Sequence, residues 1–261
     1  MRTCKNVVVD DLPAGNRNLG AFVAATAGRK GTVANVPGGV LVAGPVPVVN
    51  GYVNAAIPTN FLISTAAFVD SALAFFADLG RSFVLWVPST NTSLADEAQR
   101  RGGAEDADRS PAMSIHAPIE PQTDFQVSVV DSSATRGSFG SLAQRGYGID
   151  GLEWLLHEHD SYSAEGATWA IVSKDAQPLG VACGFLNDTT GGVYYVATPR
   201  EDRGRGVGAA ATTWVTNRLF EGGARSVTLQ SSKAGFAIYR RLGFQTYDEY
   251  RRFTFDPKAS A

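Results

Sequence analysis

The sequence is poor in the residues that staple small folds or hold metals. Among 261 residues there are two cysteines, Cys4 and Cys183, and three histidines. Two cysteines exclude a disulfide framework and any zinc site built from thiolates. Three histidines leave little for another metal centre, so no metal ligand set is expected. Charge is sparse at 18 % and nearly balanced, with 23 Lys and Arg against 25 Asp and Glu. A net charge of −2 gives no electrostatic ground for a nucleic-acid or anionic-membrane partner. No apolar run approaches the roughly 18 residues of a membrane span. Met1 to Asp11 holds one short apolar run, Val7 to Val9, followed by two aspartates, which is unlike a signal peptide. These absences predict a cytoplasmic protein with reduced thiols.

What is present is core-forming material, with 44 % hydrophobic residues. The length allows one large domain or two small ones. Leu41 to Ala56, rich in Val, Gly, Pro and Asn, reads as short strands and turns. A helix follows, capped by Ser64 or Thr65, with Phe68, Ala72, Phe75, Phe76 and Leu79 at helical spacing and Gly80 as its stop. Phe83 to Val87 reads as a strand, Leu94 to Arg101 as a helix and Ala112 to Ile115 as a strand. The polar, proline-bearing stretch His116 to Asp124 fits a linker. The expected division is therefore a domain over 1–116, a linker over 117–123 and a second domain over 124–261. In the second domain the pattern predicts strands at Phe125–Val130, Trp169–Ser173, Leu179–Phe185, Val193–Ala197 and Val227–Leu229. Helices are expected at Ala134–Arg145, Gly151–His159, Gly206–Gly222 and Lys233–Leu242, with closing strands in Gln245–Phe255. Strands and helices mix without a βαβ repeat, so the class is α+β. Arg81-Ser82 with Gln99-Arg100-Arg101-Gly102 echoes Arg225-Ser226 with Tyr239-Arg240-Arg241-Leu242-Gly243, which marks the first half as a candidate degenerate repeat.

The most informative segment is Arg203-Gly204-Arg205-Gly206-Val207-Gly208, between a strand and a long helix. Glycines let the backbone approach a ligand. The first helical N–H groups lack internal partners, and the helix dipole favours an anion there. Arg203 and Arg205 add charge-assisted donors. A Gly-rich turn with surface arginines, a dinucleotide fingerprint and a pyrophosphate cradle all fit this segment alone. The dinucleotide fold needs further βα units and an acid after the next strand. Too little chain follows Gly208, and Gln230 stands at that place.

The motif resembles the Q/R-x-x-G-x-G/A signature of the GNAT superfamily of N-acetyltransferases. Val193-Tyr-Tyr-Val-Ala-Thr198 stands where that family has a splayed strand. Ser232 to Phe244 is similar to the family's N-x-x-A-x-x-x-Y-x-x-x-G-F region, with Ser232 replacing Asn and Gly235 replacing Ala. The resemblance covers roughly Asp124 to Phe255. It implies a mixed, mostly antiparallel sheet flanked by helices, and acetyl-CoA as co-substrate with an amine as acceptor. It implies Val196, Ala197 and Thr198 along the pantetheine arm, with a backbone N–H there facing the thioester oxygen. Arg203, Gly204, Arg205, Gly206, Val207, Gly208 and Ala209 would surround the pyrophosphate, Ser232 would lie near the pantetheine, and Tyr239 would be the general acid. A non-catalytic acyl-CoA sensor is the alternative.

No general base is evident. Tyr194 and Tyr195 occupy the strand on which some family members carry Glu. Glu153, His157, Glu158, His159 and Asp160 read as a solvated helix face, with water or a neutral amine replacing the base. Cys183 reads as a small buried hydrophobe. The first half lacks the glycines and arginines of the loop and has Gln99 in the place of Tyr239, so it is expected not to hold coenzyme A in the same way. These features specify neither the acceptor nor an oligomeric state.

Overall fold

The computed structural model describes residues 11–121 and 124–256. Cys4, the Val7 to Val9 run and part of the 117–123 linker lie outside the described residues. The chain forms two compact units, one made of residues up to Met113 together with those from Thr246 onward, the other of Ser114–Gln245.

The first unit opens with α1 (Asp11–Ala25), followed by β1 (Thr32–Val36), β2 (Gly39–Ala43), β3 (Asn54–Pro58), α2 (Thr65–Asp78), β4 (Phe83–Pro88), α3 (Thr92–Arg100), β5 (Ala104–Glu105) and β6 (Ser110–Ile115). Helix α1 has no counterpart in the sequence prediction. Its stretch carries Gly15, Gly20, Asn16 and Asn18, all poor helix formers, and its apolar signal is confined to Leu19, Phe22 and Val23, which are buried. Tertiary contacts hold it. Asn16 donates to the Pro58 carbonyl at 2.8 Å and accepts from the Tyr250 hydroxyl at 2.5 Å. Helix α2 begins where predicted, with the Ser64 hydroxyl accepting from the Ala67 N–H.

The second unit contains β7 (Gln126–Val129), α4 (Ser133–Tyr147), α5 (Leu152–Glu158), β8 (Ala167–Lys174), β9 (Gln177–Asn187), β10 (Thr190–Ala197), α6 (Val207–Glu221), β11 (Ser226–Gln230) and α7 (Phe236–Arg241). Its strands run β7-β8-β9-β10-β11. The first four pair antiparallel, and β10 pairs parallel with β11. The α+β class, with a mostly antiparallel sheet flanked by helices, is what the sequence implies.

The last strand, β12 (Gln245–Phe255), pairs antiparallel with β4 from Tyr250 to Phe255 and with β5 at Phe253 and Thr254. It therefore belongs to the first unit, whereas the sequence pattern runs the second domain on to residue 261. The reason is apolar. Phe253 and Phe255 are buried in the first unit's core with Leu41, Phe68, Phe76, Phe83, Leu85 and Leu94. Phe83 stacks between Phe76 at 4.2 Å and Phe255 at 5.0 Å. Fully buried aromatic rings dominate a core of this size. Phe83→Ala is expected to destabilise the first unit by about 3–5 kcal/mol, read as a lowered midpoint in urea denaturation.

Candidate active site

The site is built from a defect in the sheet. Strand β10 pairs with β11 only through Thr190, Gly191 and Gly192, opposite Ser226, Val227 and Thr228. From Val193 onward the two strands part. On its other edge β10 follows β9 to Tyr194↔Cys183 and resumes at Ala197↔Val181, so the β10 side holds one residue more than its partner. That bulge is centred on Tyr195, whose φ of 50° is left-handed for a bulky L-residue. An ordinary ladder would consume every amide of this strand. Here the register between β10 and β11 ends at Gly192, so the two strands diverge over Val193–Ala197.

The segment Pro199–Gly206 turns the chain from β10 into α6. Gly204 and Gly206 have φ of 78° and 89°, a region where glycine alone is unstrained. A Cβ built on Gly204 meets nothing within 4 Å, and one on Gly206 meets only the Phe125 ring at 3.9 Å. The space over this turn is open. Gly206 supplies no side-chain cap to α6. The amides of Val207, Gly208 and Ala209 lie in the first turn, where helical N–H groups have no internal acceptor. An open glycine turn with uncapped amides and a helix dipole fits a diphosphate.

Arg203 acts first on the loop itself. Its Nε donates to the Thr198 carbonyl at 3.1 Å and its Nη2 to the Gly146 carbonyl at 2.7 Å. Arg205 pairs with Asp202 at 2.7 Å. Both guanidinium groups, expected from sequence to serve an anion, thus carry internal partners as well. The Arg203 fork ties together the end of β10, the turn and the end of α4. Gly146 permits this approach, since a Cβ there would stand 2.8 Å from the Ala197 Cβ and 3.0 Å from the Thr198 nitrogen.

The later motif arrives at the same place. A Cβ on Gly208 would lie 3.7 Å from Thr198 Oγ1, 3.9 Å from Ile238 Cδ1 and 4.0 Å from Val196 Cγ1. Strand end, helix start and α7 therefore converge on Gly208. Ser232, in the place of the family's Asn, accepts the Gly235 N–H on its hydroxyl at 3.1 Å and shapes the turn into α7. Tyr239 is half-buried, and its ring packs on Phe244 at 6.0 Å. A Cβ at position 235 would approach Tyr239 Cε2 to 2.7 Å, so glycine in the place of the family's alanine gives that ring its seat.

The acid and imidazole groups near α5 divide. Glu153, His157 and Glu158 are exposed, in keeping with a solvated face, and His159 is buried. Cys183 is fully buried, its Sγ lies 3.6 Å from the Gly184 carbonyl, and burial pushes its thiol well above the usual range. A thiol so protonated is no nucleophile. The sequence reading missed an aromatic cluster beneath the bulge. Trp169 contacts Phe139 at 5.1 Å, Tyr162 at 5.1 Å and Tyr195 at 5.7 Å. The adjacent Tyr194 and Tyr195 in a strand, where alternation should put one outside, were the available signal.

The first unit repeats the plan without the bulge. Strand β3 also has an antiparallel neighbour, β2, and a parallel one, β4, with α2 between β3 and β4. The β2–β3 ladder runs without a bulge from Gly39↔Pro58 to Ala43↔Asn54. The Pro58 carbonyl is taken by Asn16, the Thr59 and Asn60 N–H groups by the Gly38 carbonyl, and the start of α2 by Ser64. Gln99, the counterpart of Tyr239, donates to Glu105 at 3.3 Å.

A sheet parted beside a bulged strand, with a glycine turn leading into a helix, is the arrangement that the sequence resemblance implies. The sequence model of the Acetyltransferase (GNAT) family matches residues 139–244, which places a GNAT domain within the second unit. No curated protein matches the sequence. Among solved structures, the chain is similar to a GCN5-related N-acetyltransferase from Kribbella flavida at 18 % identity and TM-score 0.72, covering 95 % of this chain and 96 % of that one. It is also similar to a GCN5-related N-acetyltransferase from Sphaerobacter thermophilus at 17 % identity and TM-score 0.59, covering 97 % and 94 %. A tandem GNAT protein from the clavulanic acid biosynthesis pathway matches at 14 % identity and TM-score 0.60, covering 97 % of each chain. These whole-chain likenesses extend the fold to the first unit, a duplicated copy. Among the described residues, no helix is long and apolar enough to cross a membrane.

Arg203→Ala is expected to raise hydrogen exchange at residues 204–208, because the turn loses its two carbonyl anchors. Arg203→Lys should not restore protection, since one ammonium cannot reproduce a planar fork.

Proposed function

We propose that the second unit is an acetyl-CoA-dependent N-acetyltransferase that passes an acetyl group to a primary amine by direct attack in a ternary complex. The observation that carries this reading is the parting of β10 from β11 after Gly192, with the Tyr195 bulge beside it and the open turn at Gly204–Gly206 beyond. Acetyl-CoA supplies the activated acyl group. Amides between Gly204 and Ala209 hold its diphosphate, and Val196 to Thr198 run beside the pantetheine. In this reading a backbone N–H on that stretch faces the thioester oxygen, where an oriented donor in a dry site stabilises developing negative charge.

The amine nitrogen attacks the thioester carbon, and the carbon–sulfur bond breaks. The Tyr239 hydroxyl, protonated at neutral pH, gives its proton to the departing thiolate. The proton lost by the nitrogen passes to water, consistent with the solvent exposure of Glu153 and His157. That exposure is also what favours the second reading, an acyl-CoA sensor without turnover. Coenzyme A release against a panel of amines separates the two: tight acetyl-CoA binding with no release for any amine supports the sensor.

Gly206→Asp is expected to abolish acetyl-CoA binding in calorimetry by placing bulk and negative charge on the phosphate path. Near-normal affinity would remove the cradle from the site. Tyr239→Phe should lower kcat by about 10²-fold while changing coenzyme affinity little. An unchanged kcat would exclude it as the acid.

A further inference from the structure

We propose that the acceptor amine carries a carboxylate, held by the Arg136 guanidinium and the Trp169 indole N–H. This rests on the acyl-transfer reading above and adds what lies beyond the thioester.

Arg136 sits early in α4, where the helix dipole disfavours a cation. Its guanidinium lies 5.9 Å over the Tyr162 ring, and its Nε is buried without a hydrogen-bond partner. Among the described residues it forms no ion pair. A half-buried cation with an unsatisfied donor is costly, and the Tyr162 ring offsets that only in part. Trp169, from a different element, is 2 % exposed, and its Nε1 likewise has no partner. Tyr162 is a neighbour of both. Its ring is 5.1 Å from Trp169, and its hydroxyl donates to the Arg136 carbonyl at 3.1 Å. Both orphaned groups are donors. Neither has an acceptor in the fold, and a planar carboxylate matches the guanidinium fork.

The order of contacts along α4 places this cluster on the acceptor side. Gly146 touches Ala197 and Thr198, at the phosphate end of the crevice. Phe139, about 10 Å back along the helix at 1.5 Å per residue, packs on Trp169, which packs on Tyr195 at the bulge. Arg136 is a further turn, about 5 Å, beyond. A chain running from the glycine turn past the bulge therefore reaches Arg136 last. Glu153 packs against Gly140, one turn nearer the bulge on the same helix face, where an incoming ammonium is attracted. The rings of Phe139, Tyr162, Trp169 and Tyr195 give the acceptor an apolar body to lie against.

The test pairs 4-aminobutyrate with butylamine and L-phenylalanine with phenethylamine, on the full chain with acetyl-CoA. The wild type should favour the carboxylated member of at least one pair by tenfold or more in kcat/KM. Arg136→Gln should raise KM for that member by about tenfold or more and leave KM for acetyl-CoA within twofold. Trp169→Phe keeps a ring and deletes the donor, and should weaken the same probe by about tenfold. Equal use of both members by the wild type, or a preference that survives Arg136→Gln, overturns the proposal. Calorimetry with the same probes and acetyl-CoA distinguishes the two levels. Loss of acetyl-CoA binding defeats the acyl-transfer reading. Carboxylate binding that Arg136→Gln abolishes upholds the anion site by itself, and no binding of either carboxylated probe to the wild type overturns it.

Discussion

The whole arrangement depends on where β10 leaves β11. A sheet is stable because each strand satisfies the next. In the second unit that rule is suspended on one edge, beyond Gly192, and the bulge at Tyr195 turns the strand there. The rest of the arrangement keeps the opening from healing. The Arg203 fork pins the end of β10 to the end of α4, and Ile238 and Val196 close on Gly208. The open positions are thereby held in place by packed or hydrogen-bonded groups, which is what preorganisation requires.

The two units show the same plan in two states. In the first, side chains and turns of the protein itself fill the roles left open in the second: Asn16 on the Pro58 carbonyl, the Gly38 carbonyl on two amides, Ser64 on the helix start. Each is an ordinary internal hydrogen bond. Together with the absence of a bulge in β2–β3 they distinguish the first unit from the second. A duplicated fold can therefore lose a ligand site by satisfying its own polar groups.

Much of this was legible in the sequence because it is encoded locally. Gly204 and Gly206 must be glycine for their dihedrals, and the spacing from Arg203 through Tyr239 to Phe244 gathers elements that do meet in space. The parts that stayed hidden are long-range. Helix α1 has weak local propensity and is held by partners from β3 and β12. The allegiance of β12 is set by Phe253 and Phe255 packing with Phe83, which no local pattern announces. The roles of Arg203 were half visible: its charge marked an anion site, while its grip on two carbonyls requires knowing that Gly146 lies beside Thr198. The cluster of Phe139, Tyr162 and Trp169 gathers residues from three separate segments and leaves no periodic trace.

The placement of β12 also sets an order of events during synthesis. The first unit is discontinuous in the chain, with all of Ser114–Gln245 intervening before its final strand. Domains that emerge early from the ribosome generally fold early. Until the trailing unit has been made, the leading one lacks the strand that pairs with β4 and the ring that stacks on Phe83. The unit that carries the crevice can close first, and the one that precedes it in the gene is the last to be finished.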